Sequence, residues 1–220
     1  MAKKLVVLAV VLPLLGAGAY FGGEYLLARS AAVALEQIKA NLPQGATLAH
    51  GKLSTNLLRR EVVLDGFEVN APVAGTPRSL SAAHLRLAGL PWLNKGAFEL
   101  GELSIEGLRI ERQDIITAEQ WTIKRPGVQI LSQLTTGQRS PSEFSFLSSE
   151  ATNFSIKRAA HNLQATVAKV TSGALANGRL ARIELQDVKA SSQDTTGPLV
   201  RLSVEKLVGE DIDVSRVIAE

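Results

Sequence analysis

The chain has no cysteine among its 220 residues. Disulfide frameworks, thiol nucleophiles, thiolate metal sites and lipid attachment through sulfur are therefore excluded. Histidine is almost as scarce: His50, His84 and His161 are far apart, and none stands in an H-x-x-x-H arrangement. Aromatic residues make up 5% of the chain, and basic residues exceed acidic ones by only 24 − 21 = 3. A nucleic-acid binder needs a field of one sign and rings for stacking, so nucleic acid is not an expected partner. Also absent are a G-x-S-x-G elbow, a Walker loop and a dinucleotide fingerprint following a strand. Asp187, Asp211 and Asp213 lack the spacing of a calcium loop, and Asp211 or Asp213 is expected to cap a short terminal helix instead. No catalytic residue, metal ligand or cofactor site is expected. An enzyme acting on an envelope glycan through paired carboxylates stays a distant alternative without positive support.

What the chain does have begins at its amino terminus. Lys3 and Lys4 precede the uncharged run Leu5 to Ala19, which Tyr20, Phe21, Gly22 and Gly23 extend to 19 uncharged residues before Glu24. At about 1.5 Å per residue this just crosses a hydrocarbon core roughly 30 Å thick. Read as an anchor over 1–23, it keeps the lysines cytoplasmic and sets Tyr20, Phe21 and Tyr25 at the far interface. Read as a cleavable signal peptide, it ends in Ala17-Gly18-Ala19, an A-x-A cleavage pattern. Both readings export the remainder. Residues 24–42 continue as a stalk helix with Leu26, Leu27, Val33, Leu35, Ile38 and Leu42. Gly18 and Gly22 form a G-x-x-x-G pair suited to helix dimerisation.

After Pro43-Gln44-Gly45 the pattern becomes short, β-branched and alternating. Val63, Asp65, Phe67 and Val69 read as one face of a strand, and Leu80 with Ala82 begin another. In FELGELSIEGLRI (Phe98 to Ile110) the apolar phase slips at Gly101 and again at Gly107, which predicts bulges that bend a strand while keeping its buried face. Thr117-Ala118-Glu119-Gln120 has capping-box spacing, and Pro126 suits the first turn of a helix through Leu134. The segment 135–142 reads as a linker between two β-rich halves, 43–134 and 143–220. The halves look related. LDGFEV at Leu64 recurs as LQDVKA at Leu185 (185 − 64 = 121), and LSAAHL at Leu80 as LSVEKL at Leu202 (202 − 80 = 122). A sheet unit that cannot bury its own face is completed by a second copy.

Several stretches together resemble the AsmA-like envelope proteins, the group that includes TamB and YdgA-type relatives. They are the apolar amino terminus with its following helix, VVLDGFEVNAP (Val62 to Pro72), SLSAAHLRLAGL (Ser79 to Leu90), ELGELSIEGLRIE (Glu99 to Glu111), GRLARIELQDVKAS (Gly178 to Ser191) and LVRLSVEKLVGEDID (Leu199 to Asp213). The resemblance is a loose pattern of hydrophobic positions and glycines over most of Thr47 to Asp213, in a chain much shorter than typical members. It implies a curved antiparallel sheet with an apolar concave side, and a role in envelope lipid transport or outer-membrane homeostasis.

The expected architecture is mainly β: a transmembrane helix, then a curved antiparallel sheet with one or two short helices. An open sheet with one apolar face must cover it with another layer, a membrane or a ligand. The groove-lining residues expected for a lipid are Val63, Phe67, Leu80, Leu103, Ile105, Val167, Ile183, Leu202 and Val204. A closed core between two sheets requires the same alternation, so the sequence admits both. The expected protein is a non-enzymatic, single-pass bacterial inner-membrane protein whose body lies in the periplasm and binds lipid or membrane surface. The alternative is an assembly partner that pairs a sheet edge with another envelope protein. Arg59-Arg60, Lys124-Arg125 and Lys157-Arg158 read either as contacts to lipid head groups or as solvated strand ends.

Overall fold

A computed structural model describes residues 22–33, 35–36, 39–40, 42, 44–73, 76–89, 101–111, 114–127, 145–158, 162–192 and 199–214. The apolar run expected to cross the membrane lies outside the described residues except for its last two glycines. So do the linker 135–142, His161 and most of the helix expected over Pro126 to Leu134. Residues 22–33 are helical, with helical turns again at 35–36 and 39–40, where the stalk helix is expected. Among the described residues no helix is long and apolar enough to cross a membrane.

The strands are β1 (Thr47–Ala49), β2 (Leu53–Asn56), β3 (Glu61–Val73), β4 (Thr76–Ala88), β5 (Glu102–Glu111) and β6 (Asp114–Lys124). They continue as β7 (Ser148–Arg158), β8 (Leu163–Ser172), β9 (Leu175–Ala176), β10 (Arg179–Ser192) and β11 (Val200–Asp213). These 11 strands of the described residues form one antiparallel sheet in the order β1-β3-β4-β5-β6-β7-β8-β10-β11, with β2 also on β3 and β9 also on β10. The sheet is an unclosed meander in which the long strands β3, β4, β5, β6, β7, β8, β10 and β11 lie side by side in chain order. Local hairpins of this kind keep loop-closure entropy small. The turn before β10 shows the local logic: Asn177 (φ 52) and Gly178 (φ 73) are both left-handed, the Asn-Gly type I′ pair that matches strand twist.

The long strands do not alternate uniformly. Each shifts its apolar phase by one residue at the same height: Leu64 to Phe67, Ala82 to Leu85, Ile105 to Leu108, Ala118 to Trp121, Ala151 to Phe154, Val167 to Val170, Leu185 to Val188, and Val204 to Leu207. Register is conserved through the shift, since Leu64 faces Leu85 on one side of it and Phe67 faces Ala82 on the other. Both strands of every pair therefore carry the extra residue. The row is built on left-handed backbone in alternate strands, at Gly66 (φ 59), Gly107 (φ 63), Asn153 (φ 48) and Asp187 (φ 52). Glycine takes this conformation freely, and Asn and Asp are the side chains that tolerate it best.

A second such row crosses the ends of the strands, with Gly89 (φ 69), Arg125 (φ 46) and Asp211 (φ 51) left-handed. The Gly101 N–H donates to Ala88 O at 3.1 Å, and Arg125 N donates to Gly101 O at 2.9 Å. A Cβ on Gly89 would lie 2.9 Å from Gly101 Cα, so this approach needs glycine on both sides.

Three local expectations are corrected. Thr117 to Gln120 lies inside β6, where Ala118 pairs with Leu108 of β5, so cross-strand packing overrides the capping spacing. Asp211 and Asp213 belong to β11 and cap no helix. Val63 and Asp65 do not share a face with Phe67 and Val69, because left-handed Gly66 changes the phase between them; it is Val62 and Leu64 that are buried.

Candidate functional site: the apolar face of the open sheet

Directly opposed residues on neighbouring strands share a face, so the register assembles the apolar positions into rows. One row runs Leu64, Leu85, Ile105, Trp121, Ala151, Val170, Leu185, Leu207. Beside it runs Val62, Leu87, Leu103, Ile123, then Ser149 and Ser172, then Ile183. Beyond the phase shift lie Phe67 with Ala82, Leu108 with Ala118, Phe154 with Val167, and Val188 with Val204. The outermost row is Val69, Leu80, Ile110, Ile116, Ile156, Ala165, Ala190, Leu202. The two hydroxyls interrupting the second row satisfy each other, with Ser149 Oγ 2.8 Å from Ser172 Oγ.

Of the expected groove residues, Phe67, Leu80, Leu103, Ile105, Val167, Ile183, Leu202 and Val204 all stand on this face. Val63 does not: it sits between Ser54 and Arg86 on the opposite, polar face. Leu64, Leu85, Leu87, Leu108, Trp121 and Ile123 belong to the site as well. The first, Leu64, is legible as soon as Gly66 is read as a phase shift, because it stands three positions before Phe67, as Ile105 does before Leu108.

No second sheet closes this face among the described residues, since every strand belongs to one sheet. Burial is deepest where Leu103 (2% exposed) and Ile123 (4%) pack with Leu85, Leu87, Ile105, Trp121 and Phe146. It fades toward β11, where Leu202 is 56% exposed and Leu207 47%. A second sheet would bury these ends, so the sandwich alternative finds no partner layer there.

The other face is polar. Its row through the phase shift reads Asp65, His84, Glu106, Gln120, Thr152, Lys169, Gln186, Lys206. His84 Nδ1 lies 2.9 Å from Asp65 Oδ1 in the open, and His50 Nδ1 lies 2.9 Å from Gly51 O. Toward the β11 edge this face is laced by ion pairs. Arg179 grips Asp211 with two bonds of 2.9 and 2.6 Å. Arg182 reaches Glu184 at 3.2 Å and Glu210 at 3.4 Å, and Lys206 reaches Glu184 at 2.9 Å. Hydrogen bonds from Lys206, Gln186 and Arg182 hold the Glu184 carboxyl down at about 2. The Arg179 guanidinium likewise lowers Asp211.

Two shallow depressions, of about 340 and 480 Å³, are lined chiefly by Ser, Thr, Gln and Lys with a single carboxylate, Glu150. Among the described residues no three His, Asp or Glu side chains group as metal ligands. The basic doublets end strands or turns: Arg59-Arg60 in the β2–β3 turn, Lys124-Arg125 ending β6, and Lys157-Arg158 ending β7. Arg158 is bound bidentately by Asp114 at 2.7 Å.

At the far edge Glu24 ties the helix to the sheet, accepting from Thr55 Oγ1 and from Leu57 N, both at 2.7 Å. No family model and no curated protein matches this chain.

Proposed function

We propose that this protein is a non-catalytic lipid-binding module, tethered to the bacterial inner membrane by residues 1–23, with its sheet in the periplasm. The observation that carries the reading is the set of adjacent apolar rows on one face of a sheet that no second sheet covers among the described residues. Such a face holds its conformation in water only at a cost, and an acyl chain laid along it gains about 0.8 kcal/mol per methylene buried. The rows run across the strands without a charged residue, which suits a chain-like apolar guest better than a compact one. The likeness to AsmA-like envelope proteins points the same way, toward envelope lipid transport or outer-membrane homeostasis.

The test is native mass spectrometry of the full chain released gently from membranes. The expected result is co-purifying lipid. It is lost on Leu202→Asp or Leu207→Asp, which alter exposed positions of the apolar face, and kept on Ser203→Asp, an exposed position of the polar face. Protein without bound lipid, or equal loss from all three variants, would overturn the reading.

A further inference from the structure

The two edges of the sheet are finished differently. On one side β1 and β2 are 3 and 4 residues long, interrupted around Gly51, and tied to the helix through Glu24. On the other side β11 runs for 14 residues, with β10 as its one partner strand among the described residues. At about 3.3 Å per residue that is roughly 46 Å of edge backbone. Natural sheets shorten, cover or break such edges, because a long one is a template for a further strand.

The phase-shift row says what kind of strand would fit. Left-handed residues occupy this row in β3, β5, β7 and β10, at Gly66, Gly107, Asn153 and Asp187. The intervening β4, β6, β8 and β11 have none at this row. β11 is thus of the second kind and calls for a neighbour of the first. The four strands of the first kind share one pattern around the row: LDGFEV, IEGLRI, ATNFSI and LQDVKA. Each reads apolar-x-[Gly/Asn/Asp]-apolar-x-apolar. Placed antiparallel on β11, such a segment sets its left-handed residue opposite Glu205. Its apolar residues then fall opposite Leu207, Val204 and Leu202, extending three of the apolar rows by one member each. Its second residue falls opposite Lys206, which an acid there complements, as Asp65 and Glu106 would.

We propose that β11 is a docking edge for an extended segment of another protein carrying this pattern, added as the next antiparallel strand. The described strands of a second copy that carry this pattern, β3, β5, β7 and β10, are each already paired on both sides, so the occupant is taken as a segment of another protein. Side-chain burial and backbone pairing would supply affinity. Selectivity would come from the backbone, since a β-branched residue at the left-handed position is strained.

The probe is a labelled peptide with the β5 sequence ELSIEGLRIE, titrated into the full-length protein and followed by fluorescence anisotropy and by hydrogen exchange of residues 200–213. Saturable binding with slowed exchange in β11 is expected. A peptide bearing Gly107→Val should bind about tenfold more weakly or worse, whereas Gly107→Asn should retain binding. No saturation at millimolar peptide, equal affinity of the Val peptide, or protection appearing in β1 and β2 instead of β11 would each overturn the proposal. This outcome is independent of whether lipid co-purifies.

Discussion

Gly107 shows how much of the sheet hangs on single backbone conformations. Its φ is +63°, and a Cβ added there would lie 3.1 Å from Ala83 Cβ on the neighbouring strand. Gly107→Val is expected to destabilise the protein by about 2 kcal/mol, the range for a β-branched residue forced into a left-handed well. In a chain of this size each kcal/mol lowers the thermal midpoint by about 2–4 °C, so differential scanning calorimetry resolves the loss. Gly107→Asn should lose much less, because Asn153 already holds the same row in β7 at φ 48°. Equal midpoints for the Val and Asn variants would contradict the role assigned to the row. At this scale the sequence was partly readable: the slip from Ile105 to Leu108 marks Gly107 correctly. The slip at Gly66 is equally visible in Leu64-Asp65-Gly66-Phe67, yet plain alternation from Val63 to Val69 competes with it. Only cross-strand partners separate the two, since Val63 faces Arg86 and Phe67 faces Ala82. Asn153 and Asp187 are harder to find, because neither residue type by itself announces left-handed backbone.

Among the elements, β11 is the one whose place in the sheet needs explaining. Its apolar side chains are half-exposed, so burial holds it less firmly than it holds β5 or β6. Its polar side compensates through Arg179–Asp211, Arg182–Glu210 and Lys206–Glu184. Exposed pairs contribute little one at a time and more as a connected set. Glu184 ordinarily titrates near 4.5 and is held down at about 2 by its donors. A depressed carboxyl stabilises the fold fully above its unfolded pKa, and that contribution fades as pH falls through the folded value. Asp211 shifts in the same direction. The β10–β11 amides should therefore exchange progressively faster between pH 4.5 and about 2, after correction for the intrinsic rate, and Glu184→Gln should flatten the change. Unaltered protection across this window would show that the ion pairs do not hold the edge strand. The β6 segment carries the opposite lesson. Thr117 to Gln120 has the letters of a helix start, but Ala118 is 3% exposed against Leu108, and that burial outweighs a local capping preference.

For the whole molecule, the meander makes each strand depend on its two neighbours, as in a repeat protein, and places the best-packed cluster around Leu103 and Ile123. Leu103→Ala should lower stability by about 2–5 kcal/mol. Leu202→Ala, at a position 56% exposed, should change it by less than about 0.5 kcal/mol. Urea denaturation compares the two, and similar losses would mean that the face is more evenly covered than the burial gradient indicates. The sequence by itself determined that the body is a β-protein built from apolar-alternating segments, and it put eight of the nine proposed groove residues on one face. It could do so because alternation is local: within a run that does not cross a phase shift, a residue's face follows from the parity of its position. What only the tertiary structure decided is that all the described strands join in one unclosed sheet, that the phase shifts of neighbouring strands line up in rows, and that β11 is the long edge among the described residues. Those facts depend on which strand lies beside which and in what register, and a one-dimensional pattern that serves a sandwich and an open sheet equally well carries no information about either.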